Sequence, residues 1–366
     1  MSSQAFADAD AVFMARALSL AEKGLYTTTP NPRVGCVIVN DGRIVGEGWH
    51  EKAGGPHAEI AALRDAESRG HDVRGATVYV TLEPCNHVGR TMACTEALVA
   101  AGVTRIVAAM TDPNPSAGGG AGRLRAAGIR VDIGLHEREA GALNPGFIAR
   151  MTRGRPYVRI KVAGTLDGRT ADADGRSQWI TGEVARNDGH AWRARACAVL
   201  TGIGTVQADN PRLTVRAVAT PRQPLRIVVD RHADTPREAK VLQDGALVVT
   251  AGPRNAAWPD SVEHLALPDA NGRVDLNAML AHFARRELNE IHVEAGARLN
   301  GALLEAGLVD EILAYVAPSL LGDPARGIAQ FHEGRNLEMR LRLAFESVDR
   351  LGDDLRVRAR VVSPAE

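Results

Sequence analysis

Gly54-Gly55-Pro56-His57-Ala58-Glu59 leads into a helix-patterned segment, and Thr77-Val78-Tyr79-Val80-Thr81-Leu82-Glu83-Pro84-Cys85 is a strand-patterned run that ends on a cysteine. Around these two pieces the chain alternates. A helix is expected from about Pro56 to Ser68, with proline at the first helical position, where its missing N–H leaves no bond unmade. Strand Thr77 to Leu82, helix Cys94 to Ala101 and strand Val103 to Ala109 follow. Upstream, Val12, Ala15, Leu18 and Ala21 recur at helical spacing and predict a helix over Asp10 to Glu22. Cys36 to Val39, the turn Asn40-Asp41-Gly42 and Ile44 to Gly46 read as a hairpin. Downstream, Asp112-Pro113-Asn114-Pro115 and the glycines 118 to 120 form a loop before a helix-strand pair that ends at Ile133. Strands alternating with helices argue for an α/β layered sheet.

At 366 residues the chain exceeds what one core usually serves, so two domains are expected. Arg150 to Arg155 is basic and poor in apolar residues, which places a linker near residue 150 and divides the chain into 1–150 and 151–366. In the second part, runs at Tyr157 to Val162, Ala198 to Leu200, Leu225 to Val229, Ala246 to Val249, Ile291 to Val293 and Ile312 to Val316 alternate with helical stretches near 183–195, 276–286 and 299–306. Leu341 to Phe345 and Leu355 to Val361 read as a closing antiparallel pair. With 44 basic against 44 acidic side chains there is no net field to hold nucleic acid. No stretch approaches the roughly 20 apolar residues of a membrane span, and Met1 to Asp10 carries no apolar leader, so a cytoplasmic protein without a membrane partner is expected. Four cysteines are too few for a disulfide framework and read as core thiols or metal ligands.

His57, Cys85 and Cys94 offer one imidazole and two thiolates, three ligands that leave the fourth position of a tetrahedral zinc open for water. Bound zinc brings the pKa of that water to about 7, so hydroxide is at hand at neutral pH. Glu59, just past His57, is suited to carry the proton to a ring nitrogen and a departing amine. The reaction class is hydrolytic deamination of an amidine carbon in a heterocycle. Taken singly, a histidine on the surface or a cysteine in the core needs no metal; taken together, the three pieces favour the zinc site. A closed structural site would want a fourth protein ligand, for which His87 is the candidate. Both cysteines are expected beside helix starts, where the dipole favours thiolate.

Ordinary zinc deaminases carry Pro-Cys-x-x-Cys, whereas here Asn86 to Ala93 separate the cysteines. In Thr81-Leu82-Glu83-Pro84-Cys85-Asn86-His87-Val88-Gly89-Arg90-Thr91 the sequence resembles the bifunctional deaminase-reductase family of riboflavin biosynthesis, and the resemblance runs over nearly the whole chain. Asn31-Pro32-Arg33-Val34-Gly35, Gly48-Trp49-His50, Gly54 to Glu59 and Asp112-Pro113-Asn114-Pro115 agree with it. The resemblance implies a cytidine-deaminase-like α/β/α domain in which Asn31, His50, His87 and Arg90 line the pyrimidine and ribose-phosphate pocket. The chain departs from the family's pattern at Met92-Ala93, where prolines are usual, at Ala61, where a histidine is frequent, and in the glycine run 118 to 122; none of these removes a ligand.

The second part has no G-x-G-x-x-G after a strand, so a Rossmann site is not indicated. Ala163-Gly164-Thr165-Leu166-Asp167-Gly168, Gly175 to Gly182 and Gly202 to Arg216 resemble the same family's reductase domain, whose fold is like dihydrofolate reductase. The resemblance implies NADPH contacts at Ala163, Trp179, Thr205, Asp209 and the run Gly296, Ala297, Arg298 and Leu299. It implies substrate contacts at Ser177, Arg193, Leu213, Arg216 and Glu294. Arg193 and Arg216 suit a phosphate dianion, and glycines such as Gly202, Gly204, Gly296 and Gly301 let backbone approach a pyrophosphate. Asp209 and Glu294 are candidate proton donors, and Arg231 a candidate for the cofactor's ribose phosphate. The resemblance as a whole implies deamination of diaminohydroxyphosphoribosylaminopyrimidine followed by NADPH reduction of the ribosyl group to ribityl, in a homodimer or homotetramer. Three other readings compete: a single-activity zinc nucleobase deaminase with a nucleotide-binding second domain, a nucleic-acid deaminase, for which a basic stripe is wanting, and a zinc scaffold without catalysis, for which Glu59 has no use.

Overall fold

The computed structural model describes residues 6–86 and 93–362. His87 and Arg90 lie outside the described residues. By compactness the chain divides into two units, Met1–Gly154 and Arg155–Glu366.

The first unit runs α1 (Asp8–Glu22), β1 (Gly35–Asn40), β2 (Arg43–Trp49), α2 (Ala58–Ser68), β3 (Thr77–Val80), α3 (Cys94–Ala101), β4 (Arg105–Ala108), α4 (Gly120–Ala126), β5 (Arg130–Ile133), α5 (Glu137–Leu143) and α6 (Pro145–Arg153). Its sheet has the order β2-β1-β3-β4-β5, with β1 antiparallel to both neighbours and β3, β4 and β5 parallel. Asp41 and Gly42 take φ of 48° and 72°, the left-handed pair that a two-residue hairpin turn requires. Apolar side chains such as Met14, Leu20, Ile38, Val78, Ile106 and Leu124 fill the core. Glycine brings the helices close: a Cβ on Gly35 would lie 2.0 Å from the Ala17 carbonyl of α1, and one on Gly48 2.4 Å from the Ala62 nitrogen of α2.

Two expectations need correction here. Helix α2 begins at Ala58, not Pro56; His57 is its N-cap, with extended backbone (φ −71°, ψ 163°), and so precedes the helix. Residues 150–153, read as linker, close α6, whose Phe147 and Ala149 are buried. Arg150 and Arg153, two of the basic residues that suggested a linker, stand in the last turn of this helix, which ends at Gly154 in left-handed conformation.

The second unit runs β6 (Tyr157–Thr165), β7 (Arg169–Ala171), α7 (Glu183–Arg195), β8 (Ala198–Gly202), α8 (Ile203–Asp209), β9 (Leu225–Val229), β10 (Leu247–Thr250), β11 (Glu263–Ala266), α9 (Leu276–Arg285), β12 (Glu290–Val293), α10 (Ala297–Glu305), β13 (Glu311–Ala317), β14 (Arg326–Gly327), β15 (Arg342–Leu351) and β16 (Asp354–Val362). Nine strands form one sheet in the order β11-β10-β9-β8-β12-β6-β13-β16-β15. Pairing is parallel from β11 to β13 and antiparallel from β13 to β15. This is the α/β reading of the sequence, including its closing pair.

Alternation along β6 separates the sheet's two faces. Val158, Ile160 and Val162 join Met279, Phe283 and Leu303 in an apolar core. On the other face Arg159 is fully buried between Glu290, at 3.2 Å, and Glu311, at 3.0 Å. Arg195 of α7 also reaches Glu290, Arg358 reaches Glu311, and the Trp192 ring lies 4.4 Å from the Arg159 guanidinium. Helix α7 is poor in apolar residues and docks on this charged face through ion pairs. Among the described residues no helix is long and apolar enough to cross a membrane.

Burial opposes ionisation of Glu311, but Arg159 and Arg358 outweigh it and hold its pKa at about 2 against an ordinary 4.5. A depressed carboxylate contributes stability that is complete above its unfolded pKa and is lost as pH falls through the folded one. Glu311→Gln should lower the unfolding free energy at pH 7 by about 3 kcal/mol. In urea titrations followed by fluorescence, the gap from wild type should close as pH falls from 4.5 towards 2; a constant gap would contradict the ion-pair account.

Candidate active sites

The first site assembles where α2 and α3 begin beyond the end of β3. His57 is the N-cap of α2 and Cys94 the first residue of α3. Cys85 follows β3 on a short irregular segment. His57 Nδ1 lies 3.5 Å from Cys85 Sγ and 3.3 Å from Cys94 Sγ, and all three donor atoms fall within 4.8 Å of one another. A tetrahedral zinc with ordinary Zn–S and Zn–N bonds needs an S···N separation of about 3.6 Å. The donor set therefore fits zinc, and it leaves one coordination position without a protein ligand among the described residues.

Electrostatics support the same assignment. The bond from the Cys94 thiol, His57 and the Cys94 amide together bring the Cys85 thiol down to about 4, against the opposing effect of burial. That amide donates to Cys85 Sγ at 3.5 Å. Cys85 thus meets a helix N-terminus through space and not, as expected from the sequence, by adjoining one. Glu59, in the first turn of α2, is buried, and burial pushes its carboxyl up to about 7. A group of that pKa both takes and gives a proton near neutral pH.

Asn31 and His50 flank the cluster. His50 Nδ1 donates to the Pro56 carbonyl at 2.8 Å, which leaves Nε2 to accept from Asn31 Nδ2 at 3.1 Å; the His50 ring stands 5.5 Å from that of His57. Burial holds the His50 pKa below the ordinary histidine value, so this tautomer is neutral. The Asn31 amide is thereby turned with its oxygen as the free acceptor.

The second site is a cleft of about 2060 Å³ in the second unit. Small-ligand pockets are commonly about 300 to 1,000 Å³, so this one has room for a dinucleotide and a sugar phosphate together. It is lined by Ala163, Ser177, Trp179, Arg193, Thr205, Asp209, Leu213, Arg216, Glu294 and the run Gly296 to Leu299, the cofactor and substrate contacts that the resemblance implied, and by Gly202 and Gly204, but not by Gly301. Gly296 caps α10, whose opening amides suit a pyrophosphate. A Cβ on Gly202 would come within 3.3 Å of Leu299, so glycine keeps the floor close to the helix. These features fit NADPH. Leu213 is held at φ 53°, a conformation costly for a side chain of its size and frequent at ligand sites.

Three expectations change on inspection of the cleft. Arg193 is not free for a phosphate: it grips Glu294 with two nitrogens, one at 2.8 Å, and donates to the Thr214 carbonyl at 3.1 Å. Arg216, bound to Thr214 Oγ1 at 2.9 Å and otherwise exposed, remains open to an anion, with Arg212 also on the lining. Glu294 makes a poor proton donor, because Arg193 overcomes burial and holds its carboxyl well below the usual range. Gly301 does not line the cleft; it packs on Gln330, whose carbonyl a Cβ would meet at 1.9 Å. Asp209 accepts from Ser177 Oγ at 3.1 Å. Arg231 lines the cleft while donating to the Gly272 carbonyl at 2.7 Å.

Comparison with known proteins decides the family. Residues 156–357 match the model of the RibD C-terminal domain, and residues 7–110 match the cytidine and deoxycytidylate deaminase zinc-binding region. The riboflavin biosynthesis protein RibD of Escherichia coli is 47% identical over 361 residues, which covers 94% of this chain and 98% of that protein. The chain belongs to the RibD family. The RibD of Aquifex aeolicus is 42% identical over 94% of this chain and 97% of its own length. Among solved structures, Acinetobacter baumannii RibD superposes with a TM-score of 0.89 at 44% identity, over 97% of this chain and 99% of that one. A Thermotoga maritima diaminohydroxyphosphoribosylaminopyrimidine deaminase/5-amino-6-(5-phosphoribosylamino)uracil reductase gives 0.89 at 35% identity with the same coverage. The fold is therefore that of RibD: a deaminase-like zinc domain followed by a reductase domain.

Sequence reasoning missed two residues that this RibD chain brings to its sites. Lys161 stands on β6 and lines the cleft; burial and Arg193 lower its pKa, and Glu294 opposes them. Its signal was a lysine two residues from Arg159 in an otherwise apolar strand. Glu83, next to Pro84-Cys85, is buried, and an acid within an apolar run was the clue. For the metal site, Cys94→Ser should abolish stoichiometric zinc in metal analysis while NADPH binding to the second unit persists; retained zinc would remove Cys94 from the ligand set.

Proposed function

We propose that the chain deaminates diaminohydroxyphosphoribosylaminopyrimidine in its first unit, residues 1–154, and reduces the ribosyl group of the resulting aminouracil with NADPH in its second, residues 155–366. The observation that carries the reading is the buried Glu59, poised at about 7, beside a three-donor cluster that fits zinc. The substrate class is a small phosphorylated pyrimidine. His57, Cys85 and Cys94 would hold zinc, which would supply an acidified water. Glu59 is placed to accept one proton of such a water and pass it to the ring nitrogen, and then to pass the second, from the added hydroxyl, to the leaving amine, so that one water would be consumed and one ammonia released. Asn31 and His50, already bonded to one another, orient the pyrimidine; His87 and Arg90 belong to the same pocket by resemblance.

In the reductase, NADPH would supply the hydride for the ribosyl carbon. Ala163, Trp179, Thr205, Asp209 and Gly296 to Leu299 hold the cofactor, and Ser177, Leu213 and Arg216 hold the substrate. The Arg193–Glu294 pair orders the cleft beside the reacting sugar. Lys161, which lines the cleft with Arg193 and Glu294, is the candidate proton source for the oxygen released when the sugar ring opens; burial weakens its hold on the proton although Glu294 opposes the shift. Both reactions suit a cytoplasmic enzyme. Strand β15 leaves Leu343, Phe345 and Val348 exposed on the edge of the nine-stranded sheet, which supports a homodimer joined there.

Zinc-loaded protein given the diaminopyrimidine should release ammonia without NADPH and then consume NADPH once it is added. Ammonia alone would leave the second unit a nucleotide-binding module. Glu59→Ala should keep zinc and lose ammonia release, and Lys161→Met should slow NADPH oxidation by about 10²- to 10⁴-fold with deamination unchanged. Phe345→Asp with Val348→Asp should shift the light-scattering mass to that of a monomer; an unchanged mass would place any interface elsewhere.

A further inference from the structure

Glu83 is 7% exposed and takes no part in the steps above. Its carboxylate accepts from both ends of the loop that follows β4: Oε2 from the Asp112 N–H at 3.0 Å and Oε1 from the Ala121 N–H at 2.8 Å. The same loop also packs directly on the segment that carries Cys85. Gly120 lies so close that a Cβ would fall 1.8 Å from the Pro84 carbonyl oxygen, and the Asn86 N–H donates to the Ala117 carbonyl at 3.0 Å. The loop is ordered within itself, with Asp112 Oδ1 accepting from the Asn114 N–H at 2.8 Å and Asn114 Oδ1 from the Ser116 N–H at 3.1 Å. A buried carboxylate bonded to two amides of one loop is a strong, directional tie.

We propose that Glu83 is the positioning residue for the zinc ligand Cys85, binding the 112–121 loop and the segment 83–86 into one rigid piece so that the Cys85 sulfur is held at its place in the metal site. The inference rests on His57, Cys85 and Cys94 being the zinc ligands. Glu83 is not one of the three donors of the metal cluster. Its effect passes through the backbone of Pro84 and Cys85, and outer partners of this kind typically change metal affinity or activity by about 10- to 100-fold.

The test uses the full chain with Glu83→Gln, which offers one acceptor and turns an NH₂ group towards an amide donor, and Glu83→Asp, which keeps the charge with a shorter reach. Zinc affinity is read by competition with a chromophoric chelator, and ligand geometry from the thiolate-to-cobalt charge-transfer and d–d bands of the cobalt-substituted protein. Glu83→Gln should bind zinc about 10- to 100-fold more weakly, with altered cobalt bands, a deaminase kcat that falls more than KM changes, and reductase turnover of the aminouracil as in wild type. Glu83→Asp should fall between the two. Wild-type zinc affinity and cobalt bands in Glu83→Gln would overturn the proposal even if its melting temperature fell, since a merely structural role lowers stability without moving the ligand. Should Glu83→Gln fail to fold, the same comparison on Glu83→Asp decides. Wild-type protein that binds cobalt without thiolate bands would instead refute the ligand assignment itself.

Discussion

The close seating of α2 on β2 is the constraint on which the deaminase site depends. Gly46 and Gly48 leave no room for a Cβ, which would fall 2.4 Å from Ala62 backbone atoms in both cases. Any other residue there would lift the helix, and with it the His57 N-cap and Glu59, away from the two cysteines. Ligand distances of 3.3 and 3.5 Å leave little slack for such a shift. The metal site is thus set by backbone packing first and by ligand identity second.

The second unit solves a different problem. A helix that covers a sheet normally docks by apolar burial, but α7 meets Arg159, Glu290 and Glu311 on β6, β12 and β13 and is held by charge. The pattern continues to the cleft, where Arg193 of the same helix holds Glu294 just past β12. Placing full charges in the interior is costly unless each is paired. Here the pairing carries a polar face from the base of the sheet to the cleft, and burial there weakens the proton affinity of Lys161, two residues from Arg159.

Much of this was legible in the sequence because the decisive signals are local. The hairpin at Asn40 to Gly42, the run ending in Pro84-Cys85, helix Cys94 to Ala101 and helix 183–195 each lie where their spacing put them. The misreadings concern what spacing cannot carry. Pro56 suits a helix start, but the chain stays extended through His57. Cys85 draws on a helix terminus nine residues further along the chain, through space. Arg193 is spoken for by a carboxylate 101 residues away, a pairing that no local pattern reveals. The expected linker was helical because Phe147 and Ala149, not the arginines around them, decide which side faces the core.

The account turns on an open zinc site with water as the fourth ligand and Glu59 beside it. X-ray absorption at the zinc edge of the purified protein tests this most directly. The account predicts two sulfur neighbours at about 2.3 Å and two nitrogen or oxygen neighbours at about 2.0 Å, with one of the lighter pair exchanged when a small anion is added. Four neighbours that no added anion displaces would mean a closed structural site and contradict the catalytic reading; fewer than two sulfurs would contradict the pairing of Cys85 with Cys94.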